Sequence, residues 1–579
     1  MKIALAQINP TVGDFVGNTR KILEFAERAQ GLGVDLAIFP ELAVCGYWPG
    51  DLLEKKSFVQ RAGEALKTVR EWTAEPGRPA ILCGGVMPVE GAAGAAIEGK
   101  RVRNVAVLME RGHVKAIQQK MLLPFYDVFD EQRYFEPAAE QKLTCVAEAA
   151  GESPVAITIC EDAWNDKGFW PRRWYAVDPV EHLMEDWTQS QTGSRNGRPR
   201  LILNITASPY WQGKRAVRQE MLGALARRHG AYVVMTNQVG GDDSLIFDGS
   251  SLAVGPDGLV IVQAASFAED LVVFDTEPMS QERDREHPDS FPDSSSDSDE
   301  VKATWDALVL GTRDYVRKCG FSKALVGLSG GIDSALVAAI AVEALGAENV
   351  TGVGMPSEYS SEGSKDDARD LAARLGIRFE MLAIHDPFGA VMKTLEPLFA
   401  GTPFGLAEEN VQSRLRGVLL MALSNKFGAL VLTTGNKSEM SVGYCTLYGD
   451  MVGALAVIGD VMKTRVYALS RYANREHEII PQATISKAPS AELRPDQKDT
   501  DSLPPYEVLD PILEAYVERY CSAEQIAAEQ HVDVELVRSV LQLVERCEYK
   551  RQQAAPVLKI TAKSFGMGRR FPIAAKAQI

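Results

Sequence analysis

Four short stretches of the 579-residue sequence hold residue types that do chemistry. Ser329-Gly330-Gly331-Ile332-Asp333-Ser334 lies between the apolar run Ala324-Leu325-Val326-Gly327-Leu328 and the run Ala335 to Leu345. Its glycines let the backbone approach an anion with no Cβ in the way, and the start of a following helix turns unpaired N–H groups toward that anion. The expected ligand is a phosphate or pyrophosphate. The loop has neither the Gly-Lys-Ser/Thr of a Walker A sequence nor a Gly-x-Gly-x-x-Gly pattern. The other three stretches are Phe39-Pro40-Glu41-Leu42, Lys120 ahead of Met121-Leu122-Leu123-Pro124-Phe125-Tyr126, and Ile157-Thr158-Ile159-Cys160-Glu161-Asp162. Each has an ordinary use alone: Glu41 as a cap, Lys120 as a solvated charge, Cys160 as a small buried hydrophobe. As a set they supply a base, a thiol and a cation. A carboxylate can deprotonate a thiol for attack on an amide, and a lysine ammonium can stabilise the oxyanion that forms.

The elements that must position these groups follow from hydrophobic patterning. Strands are expected at Lys2–Ile8, Leu36–Phe39, Ala80–Cys83, Asn104–Glu110, Val155–Ile159, Leu201–Ile205 and Tyr232–Thr236, with an amphipathic helix over Val16–Gln30. That mixture predicts sheets covered by helices. Residues 175–199 read as an excursion from this core. From Val301 onward, strands at Ala324–Leu328, Val350–Met355, Arg378–Leu382 and Ala429–Thr433 alternate with helices such as Ser364–Leu375 and Gln412–Lys426. This is the pattern of a doubly wound parallel sheet, which binds ligands at the carboxyl ends of its strands. Between the two halves, Ser280–Glu300 is dominated by serine and acidic residues and cannot bury enough apolar surface to offset ordering. The expected domains are therefore 1–275, a linker over 276–300, and 301–579.

The bulk properties narrow the class. With 46% hydrophobic and 24% charged residues, the composition is that of a globular protein. A formal charge of −16 disfavours nucleic acid as the main partner. No apolar run reaches the roughly 20 residues needed to span a bilayer, and Met1–Ile8 lacks the pattern of a signal peptide. Eight scattered cysteines without a CxxC pair suit reduced thiols and a cytoplasmic location. Small-molecule substrates and a homo-oligomeric assembly are expected, with neither nucleic acid nor membrane as partner.

Two resemblances sharpen this reading. The hexapeptide 329–334 resembles the PP-loop of ATP pyrophosphatases, and Glu41, Lys120 and Cys160 resemble the triad of the nitrilase (carbon–nitrogen hydrolase) family in chain order and context. Gly46–Leu53 and Asp127–Phe135 are similar to the glutaminase branch of that family. Further on, Leu432–Met440, Gly443–Asp450, Gly459–Thr464, Asn410–Gly417, Pro489–Leu493, Leu503–Glu507, Lys550–Gln553 and Phe571-Pro572 resemble the NAD synthetase family, in its glutamine-dependent form. The likeness extends over nearly the whole chain. A GMP synthetase, an asparagine synthetase or a tRNA-modifying enzyme would keep the hexapeptide but lack the Asn436–Asp450 stretch. A non-catalytic nucleotide-binding scaffold would be expected to have lost at least one triad or loop residue. The chain departs from the family at Ser486-Lys487-Ala488-Pro489, which relaxes one turn, and in its longer acidic linker.

The resemblance implies an α/β protein with an N-terminal nitrilase-like α-β-β-α sandwich and a C-terminal doubly wound parallel-sheet PP-loop domain. It implies ATP-dependent amidation of deamido-NAD to NAD with ammonia released from glutamine, through an adenylated intermediate, leaving AMP, pyrophosphate and glutamate. The implied roles are Glu41, Lys120 and Cys160 in glutamine cleavage, with Glu131 as an auxiliary carboxylate, and Tyr126, Ser208 and Lys214 around glutamine. Lys214 has a competing reading as surface charge beside Arg215 and Arg218. ATP falls to Gly327, Leu328, Ser329, Gly330, Gly331, Ile332, Asp333, Ser334 and Thr434. Deamido-NAD falls to Asn410, Glu439 and Lys550, Mg²⁺ to Asp333 and Glu439, with Lys463 and Lys487 as further phosphate or adenylate candidates.

Overall fold

The computed structural model describes residues 1–89, 100–148, 151–190, 200–276, 297–495 and 497–576. The chain divides into two compact units, Met1–Asp242 with Ile246–Ser295, and Asp243–Leu245 with Ser296–Ile579.

The first unit is built on two six-stranded sheets. Strands Lys2–Gln7 (β1), Leu36–Ile38 (β2), Ala80–Pro88 (β3), Val102–Glu110 (β4) and His113–Gln119 (β5) belong to one. Thr144–Glu148 (β6), Gly151–Ile159 (β7), Arg200–Thr206 (β8) and Ala231–Asn237 (β9) start the other, which Leu252–Val254 (β12) and Val260–Gln263 (β13) complete after the hairpin Val239–Asp242 (β10) and Leu245–Asp248 (β11). Asp270–Asp275 (β14) returns to pair antiparallel with β1. The orders are β14-β1-β2-β3-β4-β5 and β13-β12-β9-β8-β7-β6, each with a parallel centre, β1-β2-β3 and β7-β8-β9, and antiparallel flanks.

Alternation along these strands sorts the side chains into layers. Ile3, Leu5, Ile38, Leu82 and Leu108 of the first sheet pack on Ile157, Ile159, Leu203 and Ile205 of the second. The intervening residues Ala156, Ile202, Val233 and Met235 face outward onto helices Pro179–Ser190 and Lys214–His229. Helices Phe15–Gly31 and Lys56–Trp72 bury Ile22, Phe25, Leu66 and Val69, and Leu66 lies against Gly85 of β3. The result is the expected α-β-β-α sandwich. The part of 175–199 that is described departs from the expected excursion: its helix buries Val180, Leu183, Met184 and Trp187 at i, i+3, i+4 and i+7, a core-facing stripe.

The second unit carries a five-stranded, wholly parallel sheet of Ala324–Gly327 (β15), Val350–Gly354 (β16), Arg378–Met381 (β17), Leu430–Thr433 (β18) and Leu455–Ala456 (β19), in the order β17-β16-β15-β18-β19. The order reverses between β15 and β18, which opens a crevice at their carboxyl ends. Helix Ile332–Leu345, apolar nearly all round, is buried along most of its length. Helices Tyr506–Val517, Ala523–Gln530 and Val534–Arg546 form a separate core of Leu509, Leu513, Ile526, Val537 and Leu541. The expected linker lies largely outside the described residues, but its last four residues, 297–300, are the first turn of helix Asp297–Lys318. Asp297, Asp299 and Glu300 there complement the positive end of the helix.

Candidate functional site

In the first unit, Glu41, Lys120 and Cys160 leave their strands at one edge of the sandwich. The Glu41 loop passes against Gly84 of β3, where a Cβ would stand 2.4 Å from Leu42 N and 2.7 Å from Glu41 Cα, so glycine is required. Glu41 is fully buried. Its Oε1 accepts from Lys120 Nζ at 2.7 Å and Asn104 Nδ2 at 2.7 Å, and its Oε2 from the Ala207 amide at 3.0 Å. Lys120 Nζ also donates to Glu131 Oε1 at 2.8 Å, and the Tyr47 hydroxyl donates to the same oxygen at 3.0 Å. Burial alone would lower the Lys120 pKa, but Glu131 and Glu41 hold it well above its usual value, so the lysine is a fixed cation. Burial raises the Glu131 carboxyl to about 8 against the pull of Lys120, with the charge of Glu41 adding to the rise.

Cys160 directly follows β7 with φ 45° and opens the short turn Cys160–Ala163. That left-handed conformation is costly for a residue with a Cβ, and such strain is one feature of active sites. Burial raises the thiol pKa first, the charge of Glu41 raises it further, and Lys120 pulls it back. The resting group is therefore a thiol that needs a base. Asp162, two residues on, ties the parts together. Its Oδ1 accepts from the amides of Met121 (3.1 Å) and Leu122 (2.8 Å), and its Oδ2 from Ile159 N (3.1 Å) and Gln141 Nε2 (2.8 Å). One carboxylate thus joins the chain just after Lys120 to the chain just before Cys160.

The expected glutamine contacts lie nearby. The Tyr126 hydroxyl donates to both oxygens of Glu161, at 3.0 and 2.9 Å. Ser208 directly follows the Ala207 amide that holds Glu41, and its own amide donates to Asn237 Oδ1 at 2.9 Å. Lys214 is buried rather than a surface charge, donates to the Pro209 carbonyl at 2.8 Å and lies 5.5 Å from the centre of the Trp164 ring. Glu161, Asp162 and Asn104 were not singled out in the sequence. The first two stood beside Cys160, whereas Asn104 carried no signal inside an ordinary strand.

In the second unit, Ser329–Ser334 follows β15, and Gly330 has φ 80°. A Cβ on Gly330 would lie 2.2 Å from the Ser364 carbonyl oxygen. The Ser334 hydroxyl donates to the Gly331 carbonyl at 3.0 Å, and the Gly331 amide donates to Ser329 Oγ at 3.2 Å, closing a compact loop. Gly327, Leu328, Ser329, Gly331, Ile332, Asp333, Ser334 and Thr434 line one cavity at the carboxyl ends of β15 and β18. Glu439 also lines it, from the helix Lys437–Val442 capped by Asn436. Lys463 Nζ donates to Asp333 Oδ2 and, at 3.3 Å, to Glu439 Oε1, while Asn436 Nδ2 donates to Asp333 Oδ1 at 2.9 Å. Two carboxylates from separate elements thus converge on one cation. Burial raises Glu439 to about 8 although Lys463 opposes it.

Of the expected deamido-NAD residues, only Glu439 lines that cavity. Asn410 and Lys550 brace the loop after it: the Thr446 hydroxyl donates to Asn410 Oδ1 at 2.9 Å, and Lys550 Nζ donates to the carbonyls of Gly443 and Cys445 at 2.7 Å each. Lys487 reaches the cavity and donates to Ser364 Oγ.

A buried carboxylate–lysine–thiol centre in one unit and a phosphate loop on a parallel sheet in the other together define a glutamine amidotransferase that draws on ATP. Residues 2–282 match the carbon-nitrogen hydrolase family and residues 304–554 the NAD synthase family. The glutamine-dependent NAD(+) synthetase of Synechocystis sp. is 49% identical over 579 residues, covering 99% of this chain and 98% of that protein. That of Thermotoga maritima is 40% identical over 601 residues, covering 99% and 98%. The solved glutamine-dependent NAD+ synthetase of Acinetobacter baumannii, in complex with adenosine diphosphate, matches with a TM-score of 0.72 at 38% identity, over 99% of this chain and 98% of that one. The chain belongs to the glutamine-dependent NAD(+) synthetase family.

Proposed function

We propose that this chain converts deamido-NAD to NAD, hydrolysing glutamine in its first unit and consuming ATP in its second. The observation that carries the reading is the buried Lys120 shared between Glu41 and Glu131 beside a thiol that directly follows a strand. Glu41 takes the Cys160 proton, the thiolate adds to the glutamine side-chain carbonyl, and Lys120 stabilises the oxyanion. The proton returns to the departing nitrogen, which leaves as ammonia. Glu41 then deprotonates water for attack on the thioester, freeing glutamate and the thiol. Tyr126, Ser208 and Lys214 are assigned to glutamine.

At the second site, a carboxylate oxygen of the nicotinate attacks the α-phosphorus of ATP and pyrophosphate leaves. Ammonia then adds to the adenylated carboxyl carbon, a proton is lost, AMP departs, and NAD remains. The amides of Gly330 and Gly331 and the hydroxyls of Ser329 and Ser334 hold phosphate oxygens, Thr434 faces ATP, and Asn410, Glu439 and Lys550 serve deamido-NAD. Among the described residues no cluster of three or more His, Cys, Asp or Glu side chains is found. Asp333 and Glu439, hard oxygen donors already arranged around one cation, suit Mg²⁺, which takes one or two carboxylates and completes its shell with phosphates and water. When bound, that ion would neutralise phosphate charge.

Three coarser expectations join the proposal. The domains are taken as 1–275 and 301–579 joined through 276–300, with 297–300 entering the second domain as helix. A homo-oligomer is favoured by exposed Leu398, Phe404, Leu406, Val418 and Phe427 on helices His385–Phe399 and Leu406–Phe427 and the turn between them. Among the described residues no helix is long and apolar enough to cross a membrane. The eight scattered cysteines suit the cytoplasm, and the net charge disfavours nucleic acid.

Cys160→Ala tests the division of labour. The variant should lose NAD synthesis from glutamine yet retain it when a high concentration of ammonium salt replaces glutamine. Retained glutamine use would refute the nucleophile, and loss of both routes in a folded variant would refute separable sites.

A further inference from the structure

Asp510 is a buried carboxylate on helix Tyr506–Val517 that does not itself line the cavity of the second unit. Leu509, Ile512 and Leu513 beside it on that helix enter an apolar core. Its Oδ1 accepts from the Ser438 hydroxyl at 2.5 Å, and its Oδ2 from the Thr464 amide and hydroxyl, both at 2.8 Å. The Lys463 amide in turn donates to Ser438 Oγ at 2.9 Å. One side chain therefore joins the first turns of helices Lys437–Val442 and Lys463–Ala473, and takes up an amide that the second helix leaves without an internal partner.

Those two helix starts carry charged groups of the site. Glu439 follows Ser438, and Lys463 precedes Thr464. Lys463 Nζ donates to Asp333 Oδ2 and Glu439 Oε1. The helix of Asp510 also reaches this ammonium: Tyr506 lies four residues earlier on the same face, with Lys463 Nζ 5.5 Å from the centre of its ring. The Tyr506 hydroxyl donates at 2.8 Å to Asp499, which lines the cavity. Lys463 is thus held at its backbone through Asp510 and at its ammonium by Tyr506, Asp333 and Glu439. A carboxylate buried in such a contact costs free energy that an apolar side chain would not. Here it sets the separation of Glu439 and Lys463, the pair that faces Asp333 of the phosphate loop.

We propose that Asp510 is a positioning residue for the ATP-dependent half of the reaction, fixing Glu439 and Lys463 against Asp333 without touching substrate. The proposal rests on the ATP reading of the second unit. It goes beyond that reading by giving a role to a helix that contributes no side chain to the cavity lining.

The test uses the full-length enzyme with ammonium salt in place of glutamine. Asp510→Ala cuts the link to both helices, and a displacement of about 1 Å near reacting groups costs about 100-fold. Its kcat should fall by about that factor while KM for ATP stays within about threefold, since the phosphate loop itself is intact. Asp510→Asn keeps the link. Its side-chain oxygen still accepts from Thr464, and its amide donates to Ser438 Oγ as that hydroxyl turns to Met462 Sδ, 3.6 Å away. This variant should recover kcat to within about tenfold of the wild type. Calorimetric titration with ATP counts the chains that are folded at the site, and both variants should bind as many equivalents as the wild type. Wild-type kcat in Asp510→Ala, Asp510→Asn as slow as Asp510→Ala, or a fall in kcat that only matches lost ATP sites would each overturn the proposal. A wild type that neither binds ATP nor makes NAD from ammonium salt would overturn the ATP reading as well.

Discussion

At the scale of single residues, the chemistry rests on how burial is compensated. Lys120 stays charged because two carboxylates share it, and those carboxylates cannot both be comfortable as anions. Glu131 yields, raised to about 8. Between its unfolded value near 4.5 and about 8 the folded state holds a proton on Glu131 that the unfolded chain has released. Stability from this group is therefore complete below the lower value and is lost as pH rises through the upper one. Thermal unfolding of the wild type should show a midpoint that falls between pH 5 and 8.5, and Glu131→Gln should flatten that slope; an unchanged slope would remove Glu131 as its source. The triad was legible only as a set, through the family resemblance of Glu41, Lys120 and Cys160 in order and context, since each residue alone has an ordinary use. Asn104 and Asp162 were not legible as site residues, because an amide and a carboxylate have so many structural uses that only the geometry distinguishes theirs.

At the scale of elements, one carboxylate and one glycine do most of the positioning. Asp162 takes four donors from three segments, so Asp162→Asn should strand some of them and separate Lys120 from Cys160. A cost of about 2–4 kcal/mol is expected in chemical denaturation, with glutamine turnover falling further than ammonium-driven synthesis. Equal losses in the two assays would show that Asp162 merely supports the fold. In the second unit, Gly330→Ala would force a side chain onto the Ser364 carbonyl at a φ that only glycine accepts readily. ATP-dependent synthesis should drop by about two orders of magnitude or more while glutaminase activity persists, because a displacement of about 1 Å at a phosphate loop is felt at that level. Near-normal synthesis would mean the loop does not hold ATP in this form. The strands that lead to Glu41, Cys160 and Ser329 were legible to within a few positions, since apolar runs between turn residues mark them, whereas His113–Gln119 ahead of Lys120, largely exposed, was not. The helix over Pro179–Ser190 was not, because the polar run beyond it masked its buried stripe of Val180, Leu183, Met184 and Trp187.

At the scale of the whole molecule, two folds that have different reasons to exist share one chain. The sandwich keeps its nucleophile dry between sheets; the parallel sheet opens a crevice where its strand order reverses. The alternation of strands and helices made the parallel sheet legible and the first unit legible as sheets covered by helices, while the sandwich and the pairing of the two came through the motifs and their family likeness. The acceptor was readable only through family likeness, since nothing in a phosphate loop names the molecule that is adenylated. The brace that Asn410 and Lys550 form on the loop 443–446 needed long-range contacts that spacing does not encode. The joint claim of the account is that ammonia made by Cys160 is joined to a carboxyl activated as an adenylate. The most direct measurement is an end-point assay with glutamine, ATP and deamido-NAD that counts all products in one mixture. NAD, AMP and pyrophosphate should appear in equal amounts, with glutamate at least equal to NAD. Formation of ADP and phosphate in place of AMP and pyrophosphate would contradict it.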